Sequence, residues 1–293
     1  MRLDSDRFLV ALGYHGHAFH GSQVQPDVRT VEGSLLQALR RLTWWGDGCL
    51  EMSSRTDAGV SVRLCLARID LPASVSGKAS EQSIVRALND NLPLGMVVLS
   101  ARRAPSESKV RYAEFRRYLY RLEAIEEWPS DPDPGLIRSA CSLIEGQHDF
   151  TNLSRAEEGR DPLRTVDECT PWCASDGRPV GFSISARSFL WNQVRRVASA
   201  ISGVASGRVT LAELEVALNR PEATVDLGRA PADGLVLWST AHPDFDAPTS
   251  DELPNASAFT KRPEDPREYR RWLAMAGYEM SVLLEREWLA RIS

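Results

Sequence analysis

The order of strand-like and helix-like segments constrains the fold of this chain more than any other feature. Apolar runs typical of strands lie at residues 8–14, 50–53, 64–69, 96–100, 115–124, 165–172, 180–186 and 235–238. Helical patterns lie at 30–42, 81–88, 135–144 and 211–218, and a longer one begins at Phe189. The two kinds of segment do not alternate regularly. This order predicts an α+β fold with a mainly antiparallel sheet rather than a doubly wound parallel one.

The helical pattern that begins at Phe189 is the most regular in the chain. Its apolar positions, which are separated by steps of four, three, four and three, are Leu190, Val194, Val197, Ile201 and Val204. Arg195 lies off this stripe, one helical step from Trp191 and Asn192. It either pairs with a carboxylate from another element or is an ordinary solvent-facing arginine.

The texture of the sequence changes near its C-terminal end and separates residues 246–293 from the rest of the chain. Pro243, Pro248 and Pro254, with Ser, Asp and Asn between them, indicate a linker after His242. Residues 266–292 return to a charged helical pattern with scattered apolar side chains. We interpret this last part as a helical extension that is dispensable for the chemistry.

Several classes of protein are excluded by pattern. The apolar runs are shorter than the roughly 20 residues of a membrane span, and the charged N-terminus has no signal-like apolar region. Neither a G-x-G-x-x-G motif nor a P-loop lysine is present, so no nucleotide cofactor is expected. Five scattered cysteines predict reduced thiols in a cytoplasmic protein.

The segment from Ser53 to Val60 is the strongest candidate for chemistry. Asp57 stands between Arg55 and the small pair Ala58-Gly59, which let a ligand approach closely. A carboxylate beside an arginine stays ionised and is able to act as a nucleophile. The alternative is that Asp57 is a turn or cap residue, as a lone aspartate in a loop usually is.

A local basic segment stands out in a chain of net charge −5. Residues 102–121 contain seven basic and two acidic residues. In the strand predicted there, Arg116, Tyr118 and Tyr120 share one face, and Arg117 and Arg121 share the other. Arginines interleaved with tyrosines are typical of an RNA surface. The alternative is a half-buried strand whose arginines extend to solvent.

Three histidines within six residues, His15, His17 and His20, suggest a metal site as a competing hypothesis. No carboxylate or cysteine lies close to them in sequence. We therefore expect polar loop residues here and no metal.

Eight short segments, in this order, together resemble the TruA family of tRNA pseudouridine synthases. They are Tyr14-x-Gly16-x-x-Phe19-x-Gly21-x-Gln23-x-Gln25, Arg29-Thr30-Val31-Glu32, Arg55-Thr56-Asp57-Ala58-Gly59-Val60, Asn91-Leu92-Pro93, Arg116-Arg117-Tyr118-x-Tyr120, Gly146-x-His148-Asp149-Phe150, Phe189-Leu190-x-Asn192-Gln193-Val194-Arg195-Arg196 and Ala230-Pro231-Ala232-Asp233-Gly234-Leu235-x-Leu237. Any one of these segments alone is weak evidence for the family. The resemblance extends over roughly residues 8–245.

The resemblance implies an isomerase that converts uridine to pseudouridine at positions 38 to 40 of the tRNA anticodon arm, without a cofactor. It implies two α+β halves, residues 1–105 with the Asp57 loop and residues 106–245 with Tyr118 and Arg195. The halves are expected to share a continuous sheet with a central catalytic cleft, in a homodimer. The implied catalytic residues are Asp57, Tyr118, which packs on the target base, and Arg195, which pairs with Asp57. The implied substrate-binding residues are Arg55, which helps to displace the target nucleotide, and Leu235, which lines the uracil pocket. The basic segment itself adds Arg111, Arg116 and Arg117 as predicted RNA-binding residues.

The chain departs from the family pattern at three places. Ser22 replaces a usual tryptophan, Ser61-Val62 replaces a common His-Ala pair, and Ser108 begins a segment that keeps only Arg111 of a Phe-x-x-Arg pattern. All three adjoin the predicted site rather than supply its chemistry. Two alternatives stay open: a catalytically weak or inactive TruA-like RNA-binding protein, and a metal-dependent hydrolase built on the three histidines.

Overall fold

The computed structural model describes residues 5–247 and 251–291. The strands of this part of the chain are β1 (Ser5–Tyr14), β2 (Leu50–Met52), β3 (Ser61–Pro72), β4 (Met96–Arg103), β5 (Phe115–Tyr120), β6 (Gly146–Asp149), β7 (Leu163–Val166), β8 (Glu168–Cys173), β9 (Pro179–Ala186) and β10 (Leu235–Ala241). The helices are α1 (Val31–Arg41), α2 (Ala73–Ser76), α3 (Glu81–Asn89), α4 (Pro134–Ile144), α5 (Gln193–Ala205), α6 (Leu211–Asn219) and α7 (Pro266–Leu289).

The predicted α+β class is confirmed. A mainly antiparallel sheet contains eight strands, and β6 and β7 form a separate two-stranded ribbon. The chain forms two compact units: the described parts of Met1–Glu114, Leu237–Asp251 and Leu283–Ser293, and then Phe115–Val236 with Glu252–Val282. The units therefore divide the chain after residues 114 and 236, whereas the sequence places boundaries after residues 105 and 245. Each unit also includes part of the segment predicted to be an extension.

In the first unit, β1 is the central strand and pairs antiparallel with β3 and β4. The strand order is β4-β1-β3-β10, and β2 pairs with β3. Helix α1 begins after Thr30, whose hydroxyl accepts a hydrogen bond from the Gly33 N–H, as the sequence predicts. The core between α1, α3 and the sheet is built from Phe8, Val10, Leu39, Cys49, Ile69, Leu71, Ile84, Leu88, Val98 and Ala101.

In the second unit, β9 lies between β5 and β8 and is antiparallel to both. All eight residues of β9 are buried. Helix α4 packs against β8, α5 and α6, which covers the sheet with apolar side chains. The unit thus places the start of α5 and the strand β5, which contain two of the predicted site motifs, on one scaffold.

Three predicted elements differ from the structure. The strand expected at 115–124 ends at Tyr120, because the Arg121 N–H donates to the Gly234 carbonyl and the chain turns into a 3₁₀ helix. The strand expected at 165–172 is two strands, β7 and β8, interrupted at Asp167. The helix expected from Phe189 begins only at Gln193, because Asn192 has the left-handed conformation, with φ 62°. Trp191 and Asn192 therefore do not share a helical face with Arg195.

Helix α7 is confirmed as a helix, and its C-terminal end packs into the first unit. Trp288 is buried and its indole Nε1 donates to the Arg63 carbonyl at 2.9 Å. A Cβ on Gly13 would overlap that indole, so only glycine fits there. The Arg63 guanidinium is itself buried, pairs with Glu287 at 2.7 Å and lies 4.1 Å from the Trp238 ring centroid. Burial lowers the pKa of Arg63.

The earlier part of α7 packs into the second unit around another buried arginine. The Arg121 guanidinium pairs with Glu279 at 2.8 Å and with Glu123 at 3.3 Å, and it stacks over Phe259 and Trp272. Burial raises the pKa of Glu123 even though Arg121 and Arg178 both contact it. The helix therefore completes the core of each unit. Its dispensability for the chemistry stays a prediction.

Among the helices in the described part of the chain, none is both long enough and apolar enough to cross a membrane. All five cysteines are free thiols, four of them buried.

Replacing Trp288 with alanine is expected to lower the free energy of unfolding by about 3–5 kcal/mol, because it removes a buried aromatic side chain and leaves a cavity. The matched control is Leu289→Ala, one residue further on, whose side chain is 69% exposed. Denaturant unfolding of both variants checks this. Equal midpoints for the two variants would contradict the packing role of Trp288.

Candidate functional site

Asp57 lies in the loop that joins β2 to β3. Its side chain is half-buried, and the side chain of Arg55, two residues earlier, is exposed. The Val60 N–H donates to the Asp57 carbonyl at 3.2 Å, which closes a turn in which Gly59 has φ +89°. The loop therefore presents a carboxylate and a guanidinium on adjacent parts of one turn.

Three side chains, which we name the Thr56 clasp, fix the loop one residue before Asp57. The Thr56 N–H donates to Ser22 Oγ at 2.8 Å, and the Ser22 N–H donates to the Thr56 carbonyl at 3.1 Å. The hydroxyls of Thr56 and Tyr14 are hydrogen-bonded at 2.8 Å. Because Ser22 and Tyr14 are both buried, the clasp holds the loop backbone in one place.

The glycine-rich segment after β1 lies directly against this loop. Gly21 has φ +85°, and a Cβ added to it would lie 3.2 Å from the Thr56 carbonyl oxygen. The Gly16 N–H donates to Ser61 Oγ at 2.9 Å. Two of the three departures from the family pattern, Ser22 and Ser61, thus supply hydrogen bonds that position the Asp57 loop.

Two of the three histidines, His15 and His17, contact each other, and His15 also contacts other side chains. His15 is buried, with its Nε2 2.8 Å from Glu285 Oε1 and its ring stacked on His17. The His15 ring also contacts Trp288, with centroids 4.7 Å apart. Within residues 5–247 and 251–291, no group of three or more His, Cys, Asp or Glu side chains is arranged to hold a metal ion.

In the second unit, Tyr118 lies on β5 opposite Ile184 of β9. It is buried, and its ring meets Phe189 edge-on with centroids 5.3 Å apart. This packing fixes the plane of the tyrosine ring.

Arg195 lies in the first turn of α5, where two oxygen atoms hold its guanidinium. Its Nε donates to the Ala230 carbonyl at 2.9 Å, and its Nη1 donates to Asn192 Oδ1 at 3.3 Å. The Ala230 N–H donates back to the Arg195 carbonyl at 3.0 Å. The left-handed Asn192 therefore has two roles: it precedes the helix and it orients the arginine. The sequence indicates neither Asn192 nor Ala230 as a support, because one is a cap-like asparagine and the other acts through its backbone.

Residues 230–235 fold around the side chain of Tyr120. The Tyr120 hydroxyl donates to the Pro231 carbonyl at 2.9 Å, and burial raises the pKa of that hydroxyl well above its usual range. A Cβ on Gly234 would lie 2.7 Å from the tyrosine ring, so this close approach requires glycine. Leu235 follows at the start of β10 and is buried.

Most of the predicted basic surface takes part in ion pairs. Arg111 Nε lies 2.9 Å from Glu51, and Arg117 Nη1 lies 2.8 Å from Glu168. Arg116 is buried, and its Nη1 donates to the Arg187 carbonyl at 2.5 Å. Arg102 and Arg103 also pair with carboxylates, those of Glu81 and Asp6. The local excess of positive charge in the sequence is therefore partly neutralised in the fold.

The first unit brings together Arg55, Asp57 and the Thr56 clasp. The second contains Tyr118, Arg195 and Leu235, together with Arg116 and Arg117. A fixed carboxylate is able to act as a nucleophile or as an electrostatic stabiliser without a metal. A fixed arginine fork is suited to a carboxylate or phosphate partner. The pairing of Arg195 with Asp57 stays a prediction.

Comparison with known proteins identifies the family to which this chain belongs. A family model described as tRNA pseudouridine synthase matches residues 140–243. The chain is 36% identical to tRNA pseudouridine synthase A of Methanocorpusculum labreanum, over 77% of this chain and 76% of that protein. It is 32% identical to tRNA pseudouridine synthase A of Methanosphaerula palustris, over 94% of this chain and 89% of that protein.

A solved Cbf5-Nop10-Gar1 complex matches with a TM-score of 0.32 and 12% identity, over 70% of this chain and 54% of that chain. The sequence matches show that the chain belongs to the tRNA pseudouridine synthase A (TruA) family, as the eight motifs predict. It is therefore an isomerase of the class that modifies tRNA.

Replacing Ser22 with alanine is expected to lower the single-turnover rate of pseudouridine formation by roughly tenfold, because an unsatisfied Thr56 N–H costs about 1–3 kcal/mol in the loop arrangement. Ser139→Ala is the control, because the exposed Ser139 hydroxyl bonds only to the Gly135 carbonyl of its own helix. A Ser22→Ala enzyme with the rate of the control would show that the clasp does not position the catalytic loop.

Proposed function

We propose that this protein converts uridine to pseudouridine in the anticodon arm of tRNA, at positions 38 to 40, with Asp57 as the catalytic carboxylate. The observation that supports this most directly is the loop of Arg55 and Asp57, which the Thr56 clasp holds in a fixed conformation. The reaction breaks the N1–C1′ bond of uridine and forms a C5–C1′ bond. N1 gains a proton and C5 loses one, so the product is an isomer and no oxidant or energy source is needed.

Asp57 acts on the electron-deficient species that forms when the glycosidic bond breaks. A carboxylate either captures the ribose carbon, stabilises its positive charge or adds to the base, and each role requires the ionised form. We propose that Arg195 pairs with Asp57 in the functional protein and keeps it ionised. The contacts of Arg195 with Ala230 and Asn192 support this role, because they hold the guanidinium in one orientation.

The detached uracil has to be held while it turns over. We propose that Tyr118 packs against the base and that Leu235 forms an apolar wall of its pocket. Both side chains have restricted positions, Tyr118 through its edge-on contact with Phe189 and Leu235 through the fold of residues 230–235 around Tyr120. Rigid apolar surfaces of this kind hold a planar base without competing for its hydrogen bonds.

A uridine within a stem is stacked, and turning it out of the helix costs a few kcal/mol. Arg55 is exposed beside Asp57, and we propose that it displaces the target nucleotide. Arg111, Arg116 and Arg117 are proposed to bind the tRNA backbone or to orient the groups that do so. We further propose a cytoplasmic homodimer in which one tRNA contacts both subunits. Five free thiols support an intracellular location, and the homodimer is proposed from the resemblance to the family.

Replacing Asp57 with asparagine is expected to reduce single-turnover pseudouridine yield by several orders of magnitude, because the amide keeps the shape but has no anionic oxygen. tRNA binding is expected to persist or to tighten, since one negative charge is removed. The matched control is Asp47→Asn, an exposed aspartate in the turn before β2.

The same assay separates the proposal from its alternative. A wild-type protein that binds tRNA and forms no pseudouridine would be the inactive RNA-binding protein. An Asp57→Asn enzyme with the wild-type rate would remove Asp57 from the chemistry.

Arg111 and Glu51 allow a charge test of RNA binding. Arg111→Ala is expected to weaken tRNA binding and to reduce the slope of log affinity against log salt by about one unit for one lost phosphate contact. Glu51→Gln is expected to strengthen binding at low salt, because the Glu51 carboxylate competes with phosphate for Arg111. Affinities measured at several salt concentrations check both. If both variants weaken binding, the ion pair is structural and Arg111 is not a phosphate ligand.

A further inference from the structure

An exposed tryptophan stands immediately before the α5 turn that contains Arg195. The Trp191 residue is 42% exposed, and the Arg155 guanidinium carbon lies 3.9 Å from its ring centroid. The Arg155 N–H also donates to the Trp191 carbonyl at 2.8 Å, which fixes the backbones of the two residues together. We name this pair the Trp191–Arg155 stack.

The stack is attached directly to the support of Arg195. Asn192 follows Trp191, is buried, and accepts a hydrogen bond from Arg195 Nη1. Because Asn192 has the left-handed conformation, the chain changes direction between Trp191 and the helix. The indole is therefore presented outside α5, one residue away from a side chain that orients Arg195.

Burial does not explain Trp191. Elsewhere in the described residues, tryptophans that serve the core are almost completely buried, as Trp172, Trp238 and Trp288 are. Residues 187–196 contain three arginines and no acidic residue, and the Arg196 guanidinium pairs with Asp226 at 2.8 Å. An aromatic plane stacked with an arginine plane is the combination that binds nucleobases of unpaired nucleotides.

We propose that the Trp191–Arg155 stack binds a nucleobase of the tRNA adjacent to the target uridine and so positions the substrate strand. This inference rests on the proposed function, because it places the stacked base beside the residues proposed for catalysis. Its ligand class is a single unpaired nucleotide, bound by stacking on the exposed part of the pair and by phosphate attraction to the arginines. Trp191 is a positioning residue: it acts on the substrate strand and not on the reacting atoms.

The chain contains a matched control in its first unit. Trp45 is 43% exposed, and the Arg40 guanidinium carbon lies 5.1 Å from its ring centroid. The two pairs therefore have the same side-chain chemistry and nearly the same exposure. Only Trp191 adjoins a motif residue, so a generic effect of an exposed arginine–tryptophan pair would affect both sites equally.

The test compares Trp191→Ala, Trp191→Phe and Trp45→Ala in the full-length protein, with tRNA transcripts as substrate. Loss of one stacked base is expected to weaken tRNA binding and raise KM about 5- to 100-fold in Trp191→Ala, with kcat changed much less. Trp191→Phe is expected to recover most of the affinity, since it keeps an aromatic face. Trp45→Ala is expected to resemble the wild type.

A substrate series identifies the base. In transcripts with a single abasic site at each position flanking the target uridine, one position is expected to weaken binding to the wild type and to have no further effect in Trp191→Ala. If Trp191→Ala does not fold, the tRNA affinity of Arg155→Ala and the abasic series on the wild type test the inference instead. Equal affinities of Trp191→Ala and Trp45→Ala, or an abasic effect that is the same in wild type and Trp191→Ala, would overturn the inference. A wild type that forms no pseudouridine would instead refute the proposed function.

Discussion

Two buried arginines set the strongest physical constraint on this fold. Arg63 in the first unit and Arg121 in the second are each 1% exposed, and each finds a carboxylate on helix α7, Glu287 and Glu279 respectively. A buried guanidinium without its partner typically costs 3–5 kcal/mol, so neither core is complete until α7 has formed. The aromatic rings stacked on these arginines add to this dependence. A segment that composition marks as an extension is therefore part of the core of both units.

The Asp57 loop depends on a different kind of contact, a short network of polar groups on the motif segment that follows β1. Hydroxyls and backbone groups of Tyr14, Ser22 and Thr56 satisfy one another inside the first unit. Ser22, which stands in place of the tryptophan usual in the family, accepts a hydrogen bond from the Thr56 N–H with its hydroxyl. This contact fixes the loop backbone, so the departure at Ser22 is compatible with an intact Asp57 loop.

The sequence was sufficient to predict the fold class, the α1 cap and most elements, because apolar periodicity follows directly from which face is buried. The prediction from sequence was wrong where the backbone conformation of a single residue determines where an element begins. The stripe from Leu190 fits a helix as far back as Phe189, yet the left-handed Asn192 delays the helix to Gln193. The support of Arg195 by the Ala230 carbonyl was equally inaccessible, because it joins residues 35 positions apart through a main-chain atom. Motif spacing identifies Asp57, Tyr118 and Arg195 as candidates, and tertiary contacts alone reveal what holds each of them.

Exposure separates the arginines that are available to RNA from those that are not. The Arg111 side chain is 56% exposed and its pair with Glu51 lies in water, where such pairs are worth about 0–1 kcal/mol. A phosphate is able to replace Glu51 at little cost. Arg121 is not available to RNA, because the carboxylate and aromatic side chains that contact its guanidinium exclude water. A phosphate that displaced those carboxylates would leave buried charges without partners. Counting charges along residues 102–121 therefore overstates the positive field of this segment. Other exposed arginines, Arg55 and Arg155 among them, lie outside that segment. RNA affinity is thus expected to depend on several short, separate positions, each of which combines an exposed guanidinium with a fixed neighbouring group.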